Sequence, residues 1–187
     1  MTIELNIPTN LTLLRIALIP LLTVVFYLPW QYSNVAATVI FMIAGLTDWL
    51  DGYLARKMQQ ETLFGAFLDP VADKLMVAFV LVLIVQQQAT PYLAVPAAII
   101  IGREITIASL REWMAEIGQR AKVQVSQLGK WKTTAQMLAL CLLLYRQDIL
   151  GLPTNSIGFV LLYIAAVLTL WSMTNYLKAA LTVLKEK

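Results

Sequence analysis

Apolar residues run along this chain in six long blocks separated by short polar stretches, without the period-two alternation of half-buried strands. A helix that crosses the hydrocarbon core of a bilayer needs roughly 20 mostly apolar residues. Residues 11–30, 35–55, 66–86, 92–116, 132–150 and 156–177 meet that need. The pattern predicts an all-α integral membrane protein with six transmembrane helices. No internal repeat, low-complexity stretch or long linker divides it, so residues 1–187 are expected to form one membrane domain. Arg15 and Pro20 predict an interfacial start and a bend in the first span, with Thr9 or Asn10 as its N-cap. Pro91 and Pro96 mark a helix start or bend, and residues 178–187 continue the last helix. The start, MTIELNIPTN, carries Glu4 rather than a basic segment, so no cleavable signal peptide is expected.

Composition agrees. Of 187 residues, 59% are hydrophobic and 13% charged, the latter about half of the usual ~25%. This excludes a disordered chain, a disulfide scaffold and a nucleic-acid module. Six spans put both termini on one side. Arg56, Lys57, Arg120, Lys122, Lys130, Lys178, Lys185 and Lys187 fall on that side, and only Arg146 on the other. The excess of lysine and arginine predicts cytoplasmic termini. Trp30 and Tyr32 are expected at the outer interface and Trp131 at the inner one. Trp113 and Trp171 read as packing residues. There is no histidine, which removes imidazole catalysis and His-ligated zinc or haem. The single cysteine, Cys141, lies in an apolar run and reads as a small buried side chain.

Four aspartates stand out against this background. Asp48 and Asp51 end the second span, and Asp69 and Asp73 begin the third. A charge at membrane depth costs at least ~2.5–3.5 kcal/mol. Lys74 is the only basic residue interleaved with them on the third span, so the default expectation is a cation site near the cytoplasmic side. The spacings i,i+3 and i,i+4 put each pair on one helix face. Convergent carboxylates suit a hard divalent cation, Mg²⁺ or Mn²⁺. Four negative charges balance two such ions, the arrangement that serves phosphoryl transfer. Gly52, Ala55 and Gly65 leave bare helix faces beside the aspartates. They either admit a ligand to the backbone or let helices pack closely.

The segment Asp48-x2-Asp51-Gly52-x2-Ala55-Arg56-x8-Gly65-x3-Asp69-x3-Asp73 resembles the signature of the CDP-alcohol phosphatidyltransferase family at every fixed position. The stretches IPTNLTLLRI, TDWLDGYLARK, FGAFLDPVADK, REITIASLREWMA and LGKWKTTAQM extend the likeness to the bacterial members that use sn-glycerol 3-phosphate. The resemblance implies transfer of a phosphatidyl group from CDP-diacylglycerol to an alcohol, with release of CMP. It implies metal ligation by Asp48, Asp51 and Asp69, with Asp73 at the metals and acting as general base. Gly52, Ala55 and Arg56 would contact the CDP moiety; Gly65, Asn10 and Thr12 are further donor-side candidates. A homodimer in the bacterial inner membrane is the expected assembly.

A phosphorylated acceptor needs cations. Arg103 lies deep in the fourth span and Arg111 eight residues on, roughly on the same face. Arg103 alternatively pairs with Glu104 or an aspartate of the cluster, and Arg111 with Glu112 or another helix. Lys130 and Lys132 open the fifth span and either bind the phosphate or anchor the helix at the interface. Serine or inositol phosphate remain alternative acceptors, the cations disfavouring serine. Intramembrane carboxylates also mark ion transporters, but these cluster toward one side and no inverted repeat surrounds them. A structural subunit leaves the four aspartates unexplained.

Overall fold

The computed structural model describes residues 6–58, 62–118, 127–149 and 151–185. They form six helices: α1 (Ile7–Tyr27), α2 (Ser33–Met58), α3 (Leu63–Gln88), α4 (Pro91–Glu116), α5 (Gln127–Tyr145) and α6 (Thr154–Lys185). Among the described residues there is no strand beyond an isolated bridge between Ile149 and Leu152. Four helical segments are long and apolar enough to cross a membrane: Thr9–Tyr27, Ser33–Leu54, Pro91–Glu116 and Thr154–Thr182. Their outward faces are apolar, with Val24, Leu46, Ile105 and Val167 all exposed. Continuous apolar surface of this kind is tolerated in lipid and not in water.

The helix ends differ from the hydrophobic pattern, most at α1 and α5. α1 starts at Ile7, not at the first apolar run, because Asn6 caps it: its Oδ1 accepts the Thr9 amide at 3.0 Å and the Thr9 hydroxyl at 2.7 Å. Thr9 and Asn10 are therefore inside the helix rather than its cap. α5 runs from Gln127 to Tyr145, not 132–150. It ends where Arg146 takes a positive φ of 61°, and the chain then turns through Gly151 at φ 80°. Trp113 and Trp171 are exposed, so they face outward instead of packing inside. α6 continues to Lys185 as expected.

The chain forms two compact units. Met1–Ile84 with Leu144–Gln147 holds α1, α2 and most of α3; Val85–Leu143 with Asp148–Lys187 holds α4, α6 and most of α5. In the first unit each helix buries one stripe at spacings of three and four residues. On α1 it runs through Thr9, Thr12, Arg15, Ile19, Leu22 and Phe26; on α2 through Ala37, Phe41 and Ala44 to Asp51. On α3, Ala72, Met76, Val80 and Ile84 are buried. Each stripe is apolar at one end and polar at the other. The polar ends meet where α1 begins, α2 ends and α3 begins.

In the second unit α4 packs on α6. Met114 and Ala180 are buried together against Leu110 and Ile117. Pro96 lies inside α4 and offers no N–H to the Tyr92 carbonyl one turn earlier. The Tyr163 hydroxyl on α6 donates to that carbonyl instead, at 2.9 Å. Gly158 of α6 sits so close to α5 that a Cβ there would lie 3.0 Å from Leu143 Cγ and 3.2 Å from the Ala139 carbonyl oxygen.

Candidate active site

Asp48 and Asp51 continue the buried stripe of α2, while Asp69 and Asp73 begin that of α3. Helical spacing thus brings all four carboxylates to one place. They meet on a single guanidinium. Arg15 Nη1 lies 2.8 Å from Asp48 Oδ1 and 3.3 Å from Asp69 Oδ1, and it also pairs with Asp73. Arg15 Nη2 pairs with Asp51. The Arg15 side chain is 2% exposed, and its Nε is buried without a hydrogen-bond partner among the described residues. Thr12, one turn earlier on α1, donates its hydroxyl to Asp51 Oδ2 at 3.4 Å. Asp51 is buried, whereas Asp48, Asp69 and Asp73 keep roughly half of their side chains accessible. The site is therefore walled on the α1 side and open on another.

Sequence reasoning reads Arg15 as part of a small polar set with Asn10 and Thr12 at the start of the first span, and does not connect it to the aspartates that it pairs with here. Lys74, the only basic residue interleaved with the aspartates on the third span, makes no ion pair among the described residues. The signal for Arg15 was present: it lies three residues after Thr12 and four before Ile19, on the inward stripe of α1.

The donor set fits a hard divalent cation. One carboxylate oxygen from each of Asp48, Asp51 and Asp69 lies within 4.8 Å of the others. Two ligands on opposite sides of Mg²⁺ are separated by about 4.2 Å, twice the ~2.1 Å bond. The three oxygens lie close to that span, and Arg15 marks the place as one that holds positive charge.

The other candidates divide. Gly52 is partly buried directly after Asp51. The side chains of Ala55, Arg56 and Lys130 lie outside the described residues. Asn10 is exposed on α1. Gly65 faces hydroxyls: a Cβ there would lie 3.0 Å from both Thr9 Oγ1 and Thr62 Oγ1. Those two hydroxyls are 3.1 Å apart, and Thr62 Oγ1 accepts the Gly65 amide at 3.0 Å. That arrangement favours close packing at Gly65.

Within the second unit, Glu104 gathers two of the proposed acceptor cations. Arg103 Nη1 is 3.2 Å and Lys132 Nζ 2.5 Å from Glu104 Oε1. Arg103 also donates to Ser172 Oγ at 3.0 Å and lies over the Tyr176 ring, 5.6 Å from its centroid. The Arg103–Glu104 alternative is thus realised, and two cations share one carboxylate. Arg111 is exposed and has no ion pair among the described residues.

Comparison with known proteins gives the same reading. Residues 5–171 match the CDP-alcohol phosphatidyltransferase family. A Haemophilus influenzae protein named CDP-diacylglycerol–glycerol-3-phosphate 3-phosphatidyltransferase is 58% identical over 94% of this chain and 93% of its own. Proteins of the same name from Sodalis glossinidius and Salmonella choleraesuis are 55% and 54% identical, each over 95% of this chain and 96% of theirs. The chain belongs to the CDP-alcohol phosphatidyltransferase family.

Proposed function

We propose that this chain transfers the phosphatidyl group of CDP-diacylglycerol to sn-glycerol 3-phosphate, giving phosphatidylglycerophosphate and CMP. The observation that carries the reading is the convergence of Asp48, Asp51, Asp69 and Asp73 in a member of this family. Asp48, Asp51 and Asp69, with Asp73 beside them, would hold two Mg²⁺ or Mn²⁺ ions. Such ions, when bound, neutralise the diphosphate and the departing CMP oxygen. Asp73 takes the proton of the acceptor hydroxyl. The hydroxyl oxygen then forms its bond to the β-phosphorus as the bond to CMP breaks. Gly52, Ala55 and Arg56, with Asn10 and Thr12, are the proposed donor-side residues.

The acceptor phosphate requires cations, and Arg103, Arg111, Lys130 and Lys132 are proposed to supply them. Arg103 and Lys132 carry one positive charge more than Glu104 cancels, which supports an anion there.

Six spans are proposed, with α3 and α5 crossing as well. The termini and the site face the cytoplasm of the bacterial inner membrane, as the lysine and arginine distribution supports. The family match runs through both units, which supports a single domain over residues 1–187. A homodimer is the proposed assembly.

The test is CMP release by detergent-purified protein supplied with CDP-diacylglycerol. EDTA-sensitive release with glycerol 3-phosphate, and not with serine or inositol phosphate, is expected. Release with another acceptor would move the specificity. No release from folded protein would overturn the reading and turn attention to cation transport.

A further inference from the structure

We infer that Arg15 is a built-in counter-ion that sets how tightly the four aspartates hold divalent cations. It is a positioning residue that competes with the ions for the same carboxylates. The inference rests on the reading of those aspartates as metal ligands.

Each of the four carboxylates gives an oxygen to this one guanidinium. Three of them are the carboxylates whose oxygens converge within 4.8 Å. The cation is not a mobile surface group. It stands on the inward stripe of α1 with its side chain 2% exposed and its Nε buried without a partner among the described residues. Burying an arginine with an unmet donor is unfavourable unless its charge is needed where it sits. Four ionised carboxylates so close would repel strongly, and one fixed positive charge keeps them together while leaving three negative charges uncompensated. That remainder still attracts divalent ions, but each ion must work against the guanidinium and displace part of its contacts. Arg15 therefore favours a folded, gathered site at the expense of metal affinity.

The test uses Mn²⁺ as probe, followed by isothermal calorimetry and by the electron paramagnetic resonance of free Mn²⁺, on the full chain in detergent. Arg15→Gln should bind Mn²⁺ at least tenfold more tightly than the parent. It should melt earlier than the parent in EDTA and gain more in Tm when Mn²⁺ is added. Arg15→Lys keeps a charge that cannot span both sides of the cluster. It should fold if Arg15→Gln does not, and bind Mn²⁺ about threefold more tightly. Equal or weaker binding by whichever variant folds would overturn the inference. Asp69→Asn separates the two layers of argument. If the parent binds Mn²⁺ and Asp69→Asn does not, the metal reading stands and the Arg15 comparison decides. If the folded parent binds no Mn²⁺, the metal reading falls and the counter-ion role falls with it.

Discussion

Gly65→Ala separates two explanations of a glycine beside the aspartates. A Cβ at this position would lie 3.0 Å from Thr9 Oγ1 and 3.0 Å from Thr62 Oγ1. Neither hydroxyl is free to retreat. Thr9 donates to Asn6 Oδ1 at 2.7 Å, and Thr62 accepts the Gly65 amide at 3.0 Å in the first turn of α3. Relieving the contact breaks the 3.1 Å Thr9–Thr62 hydrogen bond, worth about 1 kcal/mol, and weakens the Thr62 cap, worth a similar ~1 kcal/mol. Alanine recovers up to ~1 kcal/mol of helix propensity, and less so near a helix start. The net expectation is a loss of about 1–1.5 kcal/mol. Thermal unfolding in detergent reads it. In a Thr9→Ala background the same substitution should cost less, because one of the two obstructing oxygens is gone. Unchanged melting of Gly65→Ala together with a raised KM for CDP-diacylglycerol would refute the packing argument. It would return Gly65 to the donor site.

Asp73→Asn should lower turnover by about 10²-fold or more, the range of a general base, while the protein still binds Mn²⁺ and donor; near-normal CMP release would remove Asp73 as base. Arg111→Ala should raise the KM for glycerol 3-phosphate with kcat little changed, and an unchanged KM would end its assignment to the acceptor phosphate. Gly158→Ala should destabilise the chain by about 1–2 kcal/mol, overpacking against α5 outweighing the gain in helix propensity. Melting at or above the parent temperature would show that α5 yields there.

Helix positions were legible because lipid solvation demands long apolar runs, and each expected span corresponds to an observed helix. The ends were less legible. Asn6 lies before any apolar run, and nothing in the pattern foretells that Arg146 adopts a left-handed backbone. The aspartates were legible through cost and spacing, since a charge in an apolar helix needs a reason. Their counter-ion was harder to see because it comes from α1, some 33 to 58 positions earlier in the chain, and local spacing cannot report such a pairing. The stripe on α1 held the clue, but it is recognisable only when Thr9, Thr12 and Arg15 are read as inward residues together with Ile19, Leu22 and Phe26. Glu104 was legible only as one of several possible partners for Arg103; that Lys132 shares it depends on how α5 packs.

The bond from Tyr163 to the carbonyl orphaned by Pro96 also works as an index mark. Sliding α4 along α6 by one residue displaces it by about 1.5 Å, which breaks the hydrogen bond. Arg103 and Ser172 make a second mark on the same two helices, 11 residues further along α4 and nine along α6. With two marks the pair can neither slip nor rotate without losing one of them. Such a pair behaves like a ruler, carrying a fixed distance from the Pro96 turn to the guanidinium of Arg103. A substitution at Tyr163, far along the helix, would then be felt as a misplacement of Arg103.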